Sequence, residues 1–437
     1  MNCSHNSIPH RVSLVPDIFH SLKGGPDHPQ GCRQKYIMSM NETPSGDRLV
    51  IGLFGPRNAG KSSIINALTS QELAVTSPVA GTTTDPVRKA MELLPIGPVV
   101  LIDTAGLGDQ GELGELRVKK TLEELRRCDL AVVVTNIGDG PDTELEILEI
   151  MRKRGIPAVR ALNFCDDGEP SEAVRREVEA RSEIAPCYVS AITGYGIEEL
   201  KQRIIEAAPK EEERNLLAGL LLPGENVVFV VPIDKAAPKG RLILPQQQAI
   251  RAALDMGAVS CVCQPETLAE VLGNMRTPPA LVVTDSQAFS RVSEIVPREI
   301  PLTSFSILFA RKKGDFEALC EGAQAIGRLP RNGKVLILEG CTHHRQDDDI
   351  GTVKIPRLIR KARGEDVRFD WGHGRTMPEE IGEYDLVIHC GACMLNRREM
   401  QYRIGESKAA GVPITNYGMA IAYVLGILPR ALEPFRL

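Results

Sequence analysis

Aromatic residues are scarce: only 4% of the 437 residues are Phe, Trp or Tyr, and a single tryptophan is present. So few rings leave little platform for stacking the bases of single-stranded nucleic acid. An excess of charge is also missing. The formal net charge is −5, which argues against a general nucleic-acid or membrane-surface binder. No apolar run is long enough to span a bilayer. No long apolar segment lies near the start, so a secretory signal is not expected. The 11 cysteines are odd in number and spread widely, unlike a small secreted disulfide scaffold. A reducing cytoplasm fits this usage.

What is present is ordinary in bulk. Hydrophobic residues make up 43% and charged residues 25%, as in soluble globular proteins. The length suggests roughly two to four domains. Residues 1–40 stand apart, with His5, His10, His20 and His28 among scattered Pro and Gly. They read as a disordered extension or a start assigned too early, with Met38 or Met40 as the true one.

From there strands and helices alternate, which predicts an α/β fold with a doubly wound, mostly parallel sheet. Strands are expected at Arg48–Phe54, Pro98–Asp103, Asp129–Val134 and Pro157–Leu162. Helices are expected at Gly114–Arg127, Asp142–Arg154 and Ile197–Ala208. This defines a nucleotide-binding domain over 41–209, closed by a charged linker over 210–225. A second α/β domain spans 226–304. Its strand candidates are Asn226–Val231, Arg241–Leu244 and Ala280–Thr284, with a helix at Gln246–Met256. No catalytic constellation is visible there. Cys261 and Cys263, in an alternating strand-like run, read as small buried hydrophobes. A third α/β domain spans 305–437.

Gly55-Pro-Arg-Asn58-Ala59-Gly60-Lys61-Ser62 matches the phosphate-loop pattern in full, between a strand and an apolar helix that includes Ser63. The glycines let the backbone wrap phosphates, and the loop amides and helix N-terminus offer positive charge. Lys61 would contact the β- and γ-phosphates and Ser62 would bind Mg²⁺. Asp103, in Asp103-Thr-Ala-Gly106, can hold the metal hydration shell, and the Gly106 amide can sense the γ-phosphate. Gly81-Thr-Thr83-Thr-Asp85 lies between these motifs. Thr83 is the choice to complete the metal shell, with Thr82 and Thr84 as competitors, although a Thr-rich turn reads similarly. Asn163-Phe-Cys-Asp166 and Val189-Ser190-Ala191 favour guanine, because a carboxylate accepts two hydrogens from its edge.

Cys341-Thr-His343 and His389-Cys390-Gly-Ala-Cys393 each follow an apolar run, Lys334–Glu339 and Tyr384–Ile388. Adjacent parallel strands would bring both to their carboxyl ends, where open α/β sheets bind ligands. Thiolate-rich ligands select an iron–sulfur cluster or zinc, and spacing alone favours neither. With three thiolates, one iron of a [4Fe–4S] cluster keeps an exchangeable ligand. His343 or His389 either occupies it or lines the pocket. His344 and His373, the latter in a Trp371–Gly374 loop, read as hydrogen-bonding or surface histidines. Asp347–Asp349 reads as a solvated loop and helix cap.

The nucleotide motifs resemble the Era/TrmE-like branch of GTPases over Arg48 to about Ala208. Phe164 stands where that family has Lys in N-K-x-D. Asn58 falls where potassium-dependent members carry a cation-binding Asn, and Leu107 where Ras-like GTPases have a catalytic Gln. The resemblance therefore implies slow hydrolysis, stimulated by a cation such as K⁺ or by a partner. Cys341 through Pro356, with His389 through Cys393, resembles the [FeFe]-hydrogenase maturation GTPases. That likeness runs from about Asn41 to the C-terminus. It implies a GTPase domain, a dimerisation domain and a [4Fe–4S] domain, with Cys341, Cys390 and Cys393 as cluster ligands. It also implies a homodimeric scaffold that receives the diiron subcluster with the help of radical-SAM maturases. The cargo then passes to the apo-[FeFe]-hydrogenase, with no nucleic acid or membrane involved. The alternative is a zinc-stabilised GTPase in RNA modification or ribosome assembly.

The separation of the two sites predicts that Lys61→Ala abolishes GTP hydrolysis and leaves iron and sulfide loading at the wild-type level. Phosphate release and metal analysis on the same preparation check this; loss of both in a folded protein would contradict the division.

Overall fold

Runs of Val, Ile and Leu buried almost without interruption form the central strands of three sheets, and helices cover both faces of each, as parallel strands require. The computed structural model describes residues 45–70, 88–104, 124–136, 141–166, 168–209, 215–233, 242–340, 349–374, 377, 378 and 380–435. Residues 1–40, for which an extension is expected, lie outside them, as does most of the expected helix Gly114–Arg127.

The first sheet contains β1 (Leu49–Phe54), β2 (Arg88–Leu93), β3 (Gly97–Asp103), β4 (Leu130–Asn136), β5 (Ala158–Asn163) and β6 (Pro186–Tyr188), in the order β2-β3-β1-β4-β5-β6. All neighbours are parallel except the β2–β3 hairpin. Alternation along β1 shows why it is central. Ile51 and Leu53 enter one core with Ile64 and Leu130, while Val50 and Phe54 enter the other with Val133 and Ile147. The helix Pro141–Lys153 covers the second core and matches its own dipole, with Asp142 and Glu144 in the first turn and Arg152 and Lys153 in the last.

The second sheet comprises β7 (Asn226–Val230), β8 (Val259–Cys263), β9 (Leu281–Thr284) and β10 (Leu302–Ser304), ordered β10-β9-β7-β8. The third comprises β11 (Lys334–Glu339), β12 (Arg368–His373), β13 (Leu386–His389) and β14 (Ile414–Asn416), ordered β12-β11-β13-β14. Both are wholly parallel. In chain order, each therefore places its second strand beside its first, then its third and fourth on the other side. Both share a single apolar core. Val228, Val230 and Val282 of the second sheet and Leu336, Leu338 and Val387 of the third belong to the same buried cluster.

Three expectations change. Of the strand expected at Arg241–Leu244, the described residues 242–244 form none; Leu244 begins the helix Leu244–Asp255, with Pro245 in its first turn and the Ile243 amide capped by Gln246 Oε1 at 3.0 Å. Proline fits a first helical turn, where its missing N–H costs nothing. His373 and Trp371 are not in a loop but on β12, opposite Glu339 and Ile337. Cys261 and Cys263 are half-buried rather than buried, because β8 is an edge strand. Asp349 does act as a cap: its Oδ2 accepts from the amides of Gly351 and Thr352 at 3.0 and 2.9 Å.

Arg160 of β5 has no exposed surface and makes a bidentate pair with the buried Glu144, at 2.7 and 3.2 Å. The carbonyls of Ile184 and Val178 take two more of its hydrogens. Arg160→Ala would leave a buried carboxylate without its partner, at a cost of about 3–5 kcal/mol. A urea midpoint lowered to that extent in the variant is the expected result.

Candidate functional site

The nucleotide site is assembled at the carboxyl ends of β1, β3 and β5. β1 ends at Phe54, residues 55–60 form the loop, and the helix Lys61–Ser70 follows. Gly60 has a φ of +87°, and a Cβ there would meet Asn163 Nδ2 at 2.1 Å. Glycine is needed at this position for both conformation and close approach. Asn58 also takes a left-handed φ, 62°, which Asn tolerates better than most residues. Its side chain is exposed, as are those of Ser62 and Ser63, whereas Ala59 is buried.

The Lys61 ammonium turns back over the loop and donates to the carbonyls of Gly55 and Pro56 at 3.1 and 2.7 Å. Ser62 Oγ donates to Asp103 Oδ2, because β1 and β3 pair with Leu53 opposite Asp103. The two groups expected to serve Mg²⁺ therefore meet at one point. Thr83 and Gly106 lie outside the described residues.

The base side is joined to the phosphate loop by one amide. Asn163, 3% exposed, donates from Nδ2 to the Ala59 carbonyl at 3.0 Å and accepts from the Ala191 amide at 3.2 Å. Ser190 Oγ donates to Asp166 Oδ1 and accepts from the Thr193 amide, fixing the carboxylate expected to read guanine. Phe164 has a φ of 67° and stays 48% exposed. Its ring edge would be 3.9 Å from a Cβ on Gly60, so it flanks the phosphate loop.

The second site lies at the carboxyl ends of β11 and β13, which pair directly with Leu338 opposite His389. Strand order reverses here, the point at which open α/β sheets leave a crevice. Cys390 follows β13, and its amide donates to the Leu338 carbonyl at 2.8 Å. Gly340 follows β11 and donates its amide to Cys390 Sγ at 3.2 Å. Cys341 is the next residue; it and His343 lie outside the described residues. Ala392 turns the Cys390–Cys393 segment through a left-handed φ of 54°. Burial raises both thiols above their ordinary pKa, while the Gly340 and Ala392 amides oppose this at Cys390.

Thiols raised in this way ionise at neutral pH only beside added positive charge such as a metal, and amide hydrogens aimed at sulfur suit an iron–sulfur cluster. Among the described residues no three His, Cys, Asp or Glu side chains converge on one metal-sized site. Cys390 and Cys393 supply two thiols, and Cys341 adjoins Gly340 in the chain.

Two buried cations in this region are not apparent in the sequence. Arg403, 1% exposed, donates to His389 Nε2 at 2.8 Å, to the Gly374 carbonyl at 2.7 Å and to Glu399 at 3.1 Å. His389 Nδ1 pairs with the Cys390 carbonyl at 2.8 Å. A guanidinium only donates, so Nε2 must accept and Nδ1 must carry the hydrogen. Both ring nitrogens of His389 are occupied, and burial, helped by Arg403, lowers its pKa to about 3. In this arrangement His389 has no lone pair to offer iron, in contrast to its expected place among the candidate ligands. The second cation is Lys313. It closes the helix Phe305–Lys313 beside the Cys390–Cys393 turn and is 2% exposed. Its sequence neighbours Arg311 and Lys312 suggest a solvated charged run, which hides its burial.

Three family models match the chain. Residues 50–164 match the 50S ribosome-binding GTPase family. Residues 216–314 match the hydrogen maturase F dimerization domain, and residues 317–434 its tetramerization domain.

The chain belongs to the hydrogen maturase F family.

Its fold is that of the family: a phosphate-loop GTPase domain followed by two further α/β domains. The GTPase domain is an enzyme domain for GTP hydrolysis, which implies use of GTP and Mg²⁺. The names of the two C-terminal family models denote self-association. Curated relatives include the tRNA modification GTPase MnmE of Paraburkholderia xenovorans, 34% identical over 37% of this chain and 34% of that protein. The same protein from Burkholderia ambifaria is 33% identical over 37% and 34%. The chain thus matches about a third of the length of those relatives. Among solved structures, the G domain of the Thermotoga maritima FeoB iron transporter is 26% identical, covering 37% of this chain and 98% of that one, with a TM-score of 0.30. Aquifex aeolicus Era bound to GDP and AlF4⁻ is 19% identical over 49% and 93%, with a TM-score of 0.32. No helix among the described residues is long and apolar enough to cross a membrane.

Because Asn163 links the phosphate-loop motif to the loop expected to read the base, Asn163→Ala should weaken GTP and GDP alike. A loss of about tenfold corresponds to roughly 1.4 kcal/mol, the scale of one such hydrogen bond. Titration calorimetry with each nucleotide measures it; a loss confined to GTP would contradict the linking role.

Proposed function

We propose that the chain is a GTP-hydrolysing scaffold that holds a [4Fe–4S] cluster and delivers the diiron subcluster to the apo-[FeFe]-hydrogenase. The observation that carries this reading is the parallel pairing of β11 with β13, in a chain of the hydrogen maturase F family. It sets Gly340, the neighbour of Cys341, within 3.2 Å of the Cys390 sulfur.

In this reading Cys341, Cys390 and Cys393 are the cluster ligands, and the cluster offers one exchangeable iron position. The polypeptide orients what binds there. Amide hydrogens direct the Cys390 sulfur, Arg403 fixes His389, and His389 in turn fixes the Cys390 carbonyl. His343 stays a pocket candidate. In the GTPase domain, Lys61 cradles phosphate, Ser62 and Asp103 hold Mg²⁺ with Thr83, and Gly106 senses the γ-phosphate. Asn58 takes K⁺ at the phosphates. Asp166, with Asn163, Ser190 and Ala191, reads guanine.

The chain acts in the cytoplasm as a homodimer, together with radical-SAM maturases. Self-association is supported by the edge strand β8, on which Val259 and Val262 are 54% and 46% exposed. Unpaired strand edges with exposed apolar residues favour pairing with another chain.

A zinc-stabilised GTPase acting on RNA is the second reading, supported by the 34% identity to MnmE over 161 residues. Anaerobic metal and sulfide analysis with EPR, on wild type and Cys390→Ser, distinguishes them. Iron, sulfide and a reduced [4Fe–4S] signal that Cys390→Ser disrupts is the expected result. Stoichiometric zinc without sulfide after reconstitution would replace the scaffold reading with the second one.

A further inference from the structure

The polar atoms nearest the Lys313 ammonium are acceptors. Its Nζ lies 2.9 Å from the Leu395 carbonyl and 3.4 Å from those of Ala392, Cys393 and Gly46. The Asp47 carboxylate stands at 3.6 Å, and a second ammonium, that of Lys312, lies 3.7 Å from the same Asp47 oxygen. An ammonium supplies three hydrogens and accepts none, so these oxygens and the Asp47 carboxylate favour the charged form, against the burial that lowers the Lys313 pKa from its ordinary value. The helix Phe305–Lys313 ends at this residue, and its carbonyl end adds negative potential.

Three of the four carbonyls belong to the turn that carries Cys393 and begins at Cys390. That turn passes through the left-handed Ala392, a conformation that costs a non-glycine residue about 1 kcal/mol or more. A single cation drawing its carbonyls inward offsets that cost. The fit is close on the other side as well. A Cβ on Gly46 would meet the Cys393 and Leu395 carbonyls at 2.8 Å and Lys313 Nζ at 2.9 Å. Gly46 and Asp47 lie one residue before β1, the strand that leads into the phosphate loop. Lys313 thus joins the cysteine turn to the segment that leads into the nucleotide domain.

We propose that Lys313 is the positioning residue of the cluster loop. Its buried charge holds the Cys390–Cys393 turn and raises the reduction potential of the cluster bound there. The proposal rests on the cluster-scaffold reading. A reduced cluster carries one more negative charge than the oxidised one. A fixed cation in a poorly screened site therefore stabilises the reduced form.

The test uses the full chain, reconstituted anaerobically, as wild type, Lys313→Arg, Lys313→Met and Asp47→Asn. Iron and sulfide content, circular dichroism and an EPR-monitored redox titration are measured for each. Lys313→Met should lower the potential at equal cluster content, or lose the cluster while GTP hydrolysis persists. Lys313→Arg should return the potential toward wild type. Asp47→Asn removes the counter-charge at a partly exposed position, so it should raise the potential. It also serves as the deciding variant where Lys313→Met does not fold. Unchanged potential and EPR line shape in Lys313→Met, or in Asp47→Asn if only that variant folds, would overturn the assignment while the cluster reading stands. A wild-type protein without iron and sulfide would overturn the cluster reading and this inference together.

Discussion

Parallel pairing of β11 with β13 is the constraint on which the candidate cluster site depends. Two parallel strands that are not consecutive in the chain need a crossover, here through β12. Their carboxyl ends then open side by side with no strand between them. Gly340 and Cys390 are thus brought together from positions 50 residues apart in the chain. Apolar side chains on both faces fix the register. Val335 and Ile337 enter one core and Leu336 and Leu338 the other, and a slip by one residue would exchange the two sets.

The nucleotide domain follows the same rule, and its opposite end meets the last domain. Asp129, before β4, accepts the Val50 amide and a hydrogen from Asn396. Asn396 also donates to the Arg127 carbonyl, and Arg127 pairs with Glu399 at 3.4 Å. Arg398 donates to the carbonyls of Arg154 and Gly155, and Arg126 lies over the Tyr402 ring. Glu399 in turn bonds Arg403, which holds His389. The amino ends of the nucleotide-binding strands and the cysteine turn are therefore parts of one hydrogen-bonded contact. Nothing in that chain requires the bound groups themselves.

Much of this was legible in the sequence because the signals are local. A complete phosphate-loop pattern between a strand and a helix marks one site, and two apolar runs ending in Cys and His mark the other. Failures occurred where tertiary context decides. The β12 segment Arg368–His373 is mostly exposed on an edge, so it lacks the apolar run that identifies a strand. Arg241–Leu244 has such a run, yet Pro245 and Gln246 begin a helix there. Arg160, Lys313 and Arg403 are charged residues whose burial depends on partners that other elements of the fold bring to them. No periodicity announces them, and the pairing of His389 with Arg403 is equally invisible in a motif.

The apolar cluster shared by the second and third sheets has a consequence for cooperativity. Residues such as Val230, Phe289, Leu338 and Met419 sit in one continuous interior, so neither sheet can expose its inner face without opening the other's. The two matched family regions, though separable as sequence units, would behave as a single foldon. A local opening that frees the cysteine turn would draw on the stability of the region matched by the dimerization model. The cysteine turn and the region matched by the dimerization model thus have a common melting unit, and whatever tightens one protects the other from opening.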